Sequence, residues 1–348
     1  MTEKLSFASD YMEGAHPLIL DKLVETNMEQ TVGYGLDSYS QSAKEKIRQA
    51  CQSPQAEVKF LVGGTQTNAT VINGLLRSYQ GVIAADSGHI ATHESGAIEF
   101  GGNKVLTLPA QMGKISAEQV KQYLIDFYND AAHQHMVQPG MVYISQPTEF
   151  GTLYHLEEIE ALSDVCRAYQ LPLFLDGARL AYALASEEND VTLPDIAKLC
   201  DVFYIGGTKC GAFFGEAVVL PNPSLIPNFF TIIKQHGGLL AKGRLLGIQF
   251  DTLFTDKLYE TIGKQAVEAA MKMQAALKQQ GYRLLFEAVA NQVFVILSQE
   301  ELERFSQKVE FALWEKYDDH HTIVRLTTNW ATQMSTVDEF IDFISRED

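Results

Sequence analysis

Five short apolar runs, each stopping at a polar or glycine-rich turn, constrain this chain more than any other feature. Residues 59–62 (KFLV) stop at GGTQTN, 81–85 (GVIAA) at DSGH, 141–144 (MVYI) at SQPTEFG, 171–175 (LPLFL) at DGAR and 202–205 (VFYI) at GGTK. Unbroken apolar runs of this length predict strands covered on both faces, as in a parallel sheet. Between them lie segments with helical spacing, among them LEEIEALSDVCRAYQ and LPDIAKLCD. The pattern predicts an α/β sheet with helices on both sides. From about Leu258 it changes. A long helical stretch, LYETIGKQAVEAAMKMQAALKQQ, runs to Gly281. Strand-like NQVFVIL and TIVRLTT follow, with helices predicted over SQEELERFSQKVEFALWEKY and STVDEFIDFISRED. We therefore expect residues 1–252 to form an N-terminal arm and a large domain, and residues 253–348 a small α+β domain.

The 348 residues, 46% hydrophobic, suffice for a large core. A formal charge of -17 sets the chain against nucleic-acid phosphates and anionic membranes, while leaving room for a local anion pocket. Cys51, Cys166, Cys200 and Cys210 are scattered, with no C-x-x-C pair, which argues against a disulfide framework or a structural zinc site. His133-x-His135 and His320-His321 have no further ligands at suitable spacing, so no metal site is expected. No secretory pattern opens the sequence, and no apolar run approaches the roughly 20 residues needed to cross a bilayer. A soluble cytoplasmic protein is the expectation.

In an open α/β sheet, ligands bind beyond the carboxyl ends of the strands, so the run ends form a candidate site. Gly63-Gly64-Thr65 opens a helix whose free N–H groups could cradle an anion. Taken alone, the same residues read first as a plain strand-to-helix turn, with Thr65 or Thr67 as cap. Asp176, closing LPLFLD, must be paired or hydrogen-bonded. Its partner could be local backbone, Arg179, or a protonated ligand nitrogen. Lys209 closes the next strand among glycines and apolar residues, where burial would lower its pKa and make it nucleophilic. The competing reading is a lysine snorkelling to the surface. His89, after Asp86-Ser87-Gly88, could stack on a ring or move a proton, and His135 precedes another strand.

Taken together, these ends resemble the fold-type I pyridoxal phosphate (PLP) enzymes, and within them the threonine aldolase / aromatic amino acid β-eliminating lyase family. The stretches carrying the likeness are Ser9-Asp10, GGTQTN (63–68), HIATHESG (89–96), DGAR (176–179), GGTK (206–209) and VRLTT (324–328). The resemblance implies an aspartate aminotransferase-like large domain with a mostly parallel seven-stranded sheet. It implies PLP as cofactor, joined to Lys209 as a Schiff base, with Asp176 at the pyridinium nitrogen and His89 on the ring face. Gly64 and Thr65, with Thr208, would bind the phosphate. Arg179 and Arg325, with Ser9, would hold the substrate carboxylate, and His135 would stand near its β-hydroxyl. A homotetramer or homodimer with sites at the subunit interface is also implied.

Three stretches depart from the commoner members. QPTEFG (146–151) replaces an ENTHNG-like stretch, YGLDSYS (34–40) a VYGDDP-like one, and KQHGGLLAKG (234–243) a KxxGGGxRQ-like one, leaving Lys242 in place of the expected arginine. All three bear on the substrate. The implied activity is cleavage of the Cα–Cβ bond of a β-hydroxy-α-amino acid, such as threonine or allo-threonine, to glycine and an aldehyde. β-Elimination from an aromatic or other β-substituted amino acid is the alternative, and a PLP-binding protein without turnover a third.

Overall fold

A computed structural model describes residues 4–345. Its centre is a seven-stranded sheet: β1 (Glu57–Leu61), β2 (Gln80–Ala85), β3 (Lys104–Leu108), β4 (Gln138–Ser145), β5 (Leu173–Asp176), β6 (Val202–Gly206) and β7 (Glu216–Leu220). Their order across the sheet is β1-β7-β6-β5-β4-β2-β3. The strands from β6 to β3 pair in parallel, and β7 is antiparallel to both its neighbours. All except β7 therefore point the same way. The five apolar runs fall on β1, β2, β4, β5 and β6. Strands β3 and β7 complete the sheet without having stood out as runs of their own.

Side-chain alternation divides the sheet's residues between two cores. Ile83, Val142, Ile144, Leu173, Leu175, Phe203, Ile205 and Val219 pack on one face. Val82, Met141, Tyr143, Phe174, Val202, Tyr204 and Val218 pack on the other, beneath helix Gly64–Leu75 through Val71 and Ile72. This period of two with both faces buried is why the runs carry no polar alternation.

A separate four-stranded sheet is formed by Arg283–Leu284, Gln292–Ser298, Ala312–Lys316 and His321–Thr327. With helices Leu258–Gln279, Gln299–Lys308 and Met334–Ile344 it encloses its own core, including Met273, Val295, Phe305, Leu326 and Phe340. Leu5–Ser6 pairs in parallel with Val309–Glu310, so the start of the chain is tied to this module. One expectation is corrected here. The helix predicted over SQEELERFSQKVEFALWEKY ends at Lys308, and Ala312–Lys316 is a strand paired with His321–Thr327. Its capped N-terminus (Ser298 with Glu301) starts a true helix. Beyond Lys308, Val309 pairs with Leu5, and Phe311 and Trp314 find apolar neighbours that local periodicity does not reveal. No helix among the described residues is long and apolar enough to cross a membrane.

The two parts meet where helix Leu258–Gln279 crosses helix Leu180–Leu184. A β-carbon on Gly263 would lie 2.1 Å from the Ala181 carbonyl oxygen. In a free helix, glycine to alanine stabilises by about 1 kcal/mol. Here overpacking, about 1–3 kcal/mol, outweighs that gain. Gly263→Ala is expected to lower the denaturation midpoint in urea, and a raised midpoint would refute the close approach.

Candidate active site

The carboxyl ends of β1, β2, β4, β5 and β6 line one cleft of about 220 Å³. Its walls include Gly64, Thr65, His89, Ser145, Glu149, Asp176, Arg179, Thr208, Lys209 and Glu216. Most of the strand-end residues singled out in the sequence thus converge, because parallel strands present their ends at one sheet edge.

Asp176 is 5% exposed and is held by four donors. Tyr204 Oη (2.5 Å) and the Ala178 N–H (3.0 Å) donate to Oδ1. Tyr143 Oη (2.6 Å) and Asn68 Nδ2 (3.0 Å) donate to Oδ2. Tyr143, Tyr204 and Asp176 share one sheet face, and Asn68 reaches them from helix Gly64–Leu75. Burial and the Asp176 charge push both tyrosine hydroxyls well above the usual value, which keeps them neutral donors. Of the partners open at the sequence level, backbone is one and Arg179 is not. Arg179 instead forks onto the fully buried Asp10, with Nε to Oδ2 at 2.6 Å and Nη2 to Oδ1 at 3.1 Å. Asn291 Nδ2 supports Asp10 from the C-terminal module at 3.0 Å.

Lys209 is half-buried. Among the described residues, its ammonium makes no hydrogen bond and no ion pair. Burial, then the Arg179 charge, holds its pKa below the ordinary lysine value. The snorkelling alternative fails, since the side chain lines the cleft. Thr208 also lines it, but its hydroxyl donates to Glu216 Oε1 (2.7 Å) and so offers no proton to a phosphate. Burial pushes the Glu216 carboxyl up to about 8.

Helix Gly64–Leu75 begins at Gly63 with no side-chain cap, so its first N–H groups are free at the cleft, and neither Thr65 nor Thr67 is the cap. His89 Nδ1 lies 2.8 Å from Glu94 Oε1, which also accepts from Asn68 Nδ2 at 2.7 Å. That carboxylate orients the imidazole ring. In the C-terminal module, Arg325 lies over Trp314 with its guanidinium carbon 5.2 Å from the ring centroid. Its Nε is buried without a partner, as is Ser9 Oγ. Burial, with Arg179 nearby, pushes the Arg325 pKa down to about 10. Neither Ser9 nor Arg325 is among the residues that line the cleft, and each keeps a buried donor unanswered.

His135 is corrected. It is exposed and precedes β4, at the opposite sheet edge from Ser145. An eight-residue strand rises roughly 25 Å, so within one chain the imidazole cannot reach the cleft. Counted position by position against the ENTHNG-like stretch, Glu149 stands at the histidine's place. It is buried in the cleft wall and accepts from the His89 N–H (2.8 Å) and Ser145 Oγ (2.9 Å). The other two departing stretches meet each other. Tyr34 N–H donates to the Ala241 carbonyl at 3.2 Å, and Lys234 lies over the Tyr34 ring at 4.4 Å. They line a second, smaller hollow with Lys44 and Lys59. Lys242 is exposed and lines neither.

Sequence reasoning missed Asn68, Glu94, Tyr143, Glu149, Tyr204 and Glu216. Most lie inside the stretches already noted, and the legible signal was a polar residue within or beside an apolar run.

The cleft also fits PLP. A free amine of lowered pKa faces it, a fixed carboxylate lies in its wall, and uncapped helix N–H groups open onto it.

The family model described as beta-eliminating lyase matches residues 6–311. A low specificity L-threonine aldolase from Pseudomonas aeruginosa is 31% identical over 300 residues, 85% of each chain. A solved threonine aldolase from Leishmania major superposes with a TM-score of 0.95 at 43% identity, covering 98% of each chain. Aspartate aminotransferase from Thermus thermophilus shares the fold at a TM-score of 0.71 and 13% identity, over 99% of this chain and 91% of that one. On the match spanning residues 6–311, this chain belongs to the beta-eliminating lyase family.

Proposed function

We propose that this protein is a PLP-dependent carbon–carbon lyase that splits L-threonine or L-allo-threonine into glycine and acetaldehyde. The observation that carries the reading is Lys209, an unpaired amine of lowered pKa in a cleft that also contains a carboxylate fixed by four donors. The threonine aldolase names of the relatives favour aldol cleavage over β-elimination.

PLP would be held through the Lys209 amine, with Asp176 at the ring nitrogen, His89 on the ring face, and the Gly64 and Thr65 end of the helix at the phosphate. Thr208 would support that end through Glu216 rather than as a donor of its own. When bound, the cofactor supplies a sink for the electron pair left on Cα. The residues of the chain do the rest. Ser9 and Arg325 bind the carboxylate, and Arg179, locked on Asp10, keeps a positive charge beside it. Glu94 orients His89. Tyr143, Tyr204 and Asn68 keep Asp176 immobile, so its charge is preorganised.

We also infer a division near residue 252, a cytoplasmic setting, and a homotetramer or homodimer with sites at the interface. Support for self-association comes from Leu18, Val24, Met28, Val32 and Leu36, exposed apolar residues within one short stretch.

Purified protein given PLP and L-threonine should turn yellow and release glycine with acetaldehyde. Ammonia with a keto acid would mean β-elimination instead. Lys209→Ala should neither hold PLP after dialysis nor turn over substrate; retained colour and activity would sink the cofactor assignment. Losing a charge-assisted pair costs about 1.5–3 kcal/mol. Arg325→Ala should therefore raise KM for threonine roughly 10- to 100-fold with a smaller change in kcat, and an unchanged KM would remove Arg325 from the site.

A further inference from the structure

Cleavage of a β-hydroxy amino acid requires a group that takes the hydroxyl proton, and His135 lies outside the cleft. Among the cleft-lining groups, Tyr11 is a phenol 59% exposed on the N-terminal arm. Asp176 has all four hydrogen bonds filled. Glu216 is tied to Thr208 and the Gly207 N–H. The Tyr204 hydroxyl is spent on Asp176. His89 and Lys209 are assigned to the ring face and the covalent link. Glu149 differs from all of these. Besides its own backbone N–H, its carboxylate takes two donors, the His89 N–H and Ser145 Oγ, both on Oε1. Oε2 takes neither.

Its position is also fixed. The turn around it is closed by Thr148 N–H to the Thr152 carbonyl (2.9 Å) and Gly151 N–H to the Thr148 carbonyl (2.8 Å). The adjoining Phe150 packs edge-on against Trp314 (centroids 5.4 Å apart), the ring over which Arg325 lies. Glu149 thus takes the His89 N–H on one side and adjoins Phe150, which packs on Trp314, on the other.

We propose that Glu149 is the catalytic base that accepts the β-hydroxyl proton of the substrate. The proposal rests on the aldolase reading above. As the proton passes to Glu149, the O–H electron pair becomes the second bond of the aldehyde carbonyl and the Cα–Cβ bond breaks. That bond's electron pair stays with Cα, where the cofactor, when bound, would take it up, until Cα gains one proton and leaves as glycine. One proton is lost and one gained, and no oxidant is needed. Burial, with Asp176 close by, raises the Glu149 pKa above the ordinary glutamate value, and a stronger base results. The other titratable or charged groups around it are Tyr143, Tyr154, Arg179 and His89. The ionised form is the acceptor, so activity must fall as pH drops through this raised pKa.

The test compares wild-type and Glu149→Gln holoenzymes. Acetaldehyde release from L-threonine is measured against pH, glycine affinity by absorbance titration, and exchange of the glycine α-proton in heavy water by NMR. Glu149→Gln is expected to lose on the order of 10²–10⁴-fold in kcat for cleavage and to lose the acid limb of the profile. Glycine affinity and α-proton exchange should stay close to wild type, because neither step involves a β-hydroxyl. Undiminished cleavage, or exchange that falls as far as cleavage, overturns the proposal. Should Glu149→Gln fail to fold, Ser145→Ala removes one donor to the carboxylate and must shift the acid limb to higher pH; an unmoved limb is equally fatal. A wild-type protein that binds glycine yet releases no aldehyde would instead strike the aldolase reading.

Discussion

The burial of Asp176 is the constraint from which the rest of the site follows. A carboxylate 5% exposed at the end of a wholly apolar strand needs every lone pair answered. It draws Tyr143 from β4, Tyr204 from β6, Asn68 from the covering helix and the Ala178 N–H from its own loop. Four elements are thereby registered on one side chain. The same Asn68 amide donates to Glu94, which faces His89. The groups proposed for the nitrogen and for the face of the cofactor ring thus belong to one connected network, in which a shift at one member is felt at the next.

A second buried carboxylate does for the chain as a whole what Asp176 does for the cleft. Asp10 comes from the N-terminal arm, Arg179 from the loop after β5 and Asn291 from the C-terminal module. Their junction ties the N-terminal arm and the C-terminal module to the cleft wall at Arg179. Removing one member would leave a buried charge uncompensated, which is costlier than never having built the pair. The arm is therefore part of the site's framework, and its pairing of Leu5–Ser6 with Val309–Glu310 extends that tie.

The large sheet could be read in advance because its strands are buried on both faces and stand out as apolar runs bounded by glycine and polar residues. Gly64, Thr65, His89, Asp176, Arg179, Thr208 and Lys209 came with them, since each follows or closes a run. Strand Ala312–Lys316 could not be read this way. It is half-exposed and continues a helix without a break in composition, and only its pairing with His321–Thr327 makes it a strand. His135 was misplaced for a related reason. Adjacency to a strand in sequence does not say which end of the sheet the residue occupies, and it sits at the amino end.

By itself, the sequence determined the layered α/β architecture, the sheet edge at which the cleft opens, and Lys209 as a lysine at that edge. Those follow from local patterns: run length, turn residues, and the direction shared by parallel strands. Tertiary structure alone decided the partners. It assigned Arg179 to Asp10 rather than Asp176, gave Thr208 to Glu216, left Ser9 and Arg325 unpaired, and placed Glu149 in the cleft in place of His135. A hydrogen bond forms between groups brought within about 3 Å, and which groups meet at that range depends on how distant segments pack, a fact no local pattern encodes.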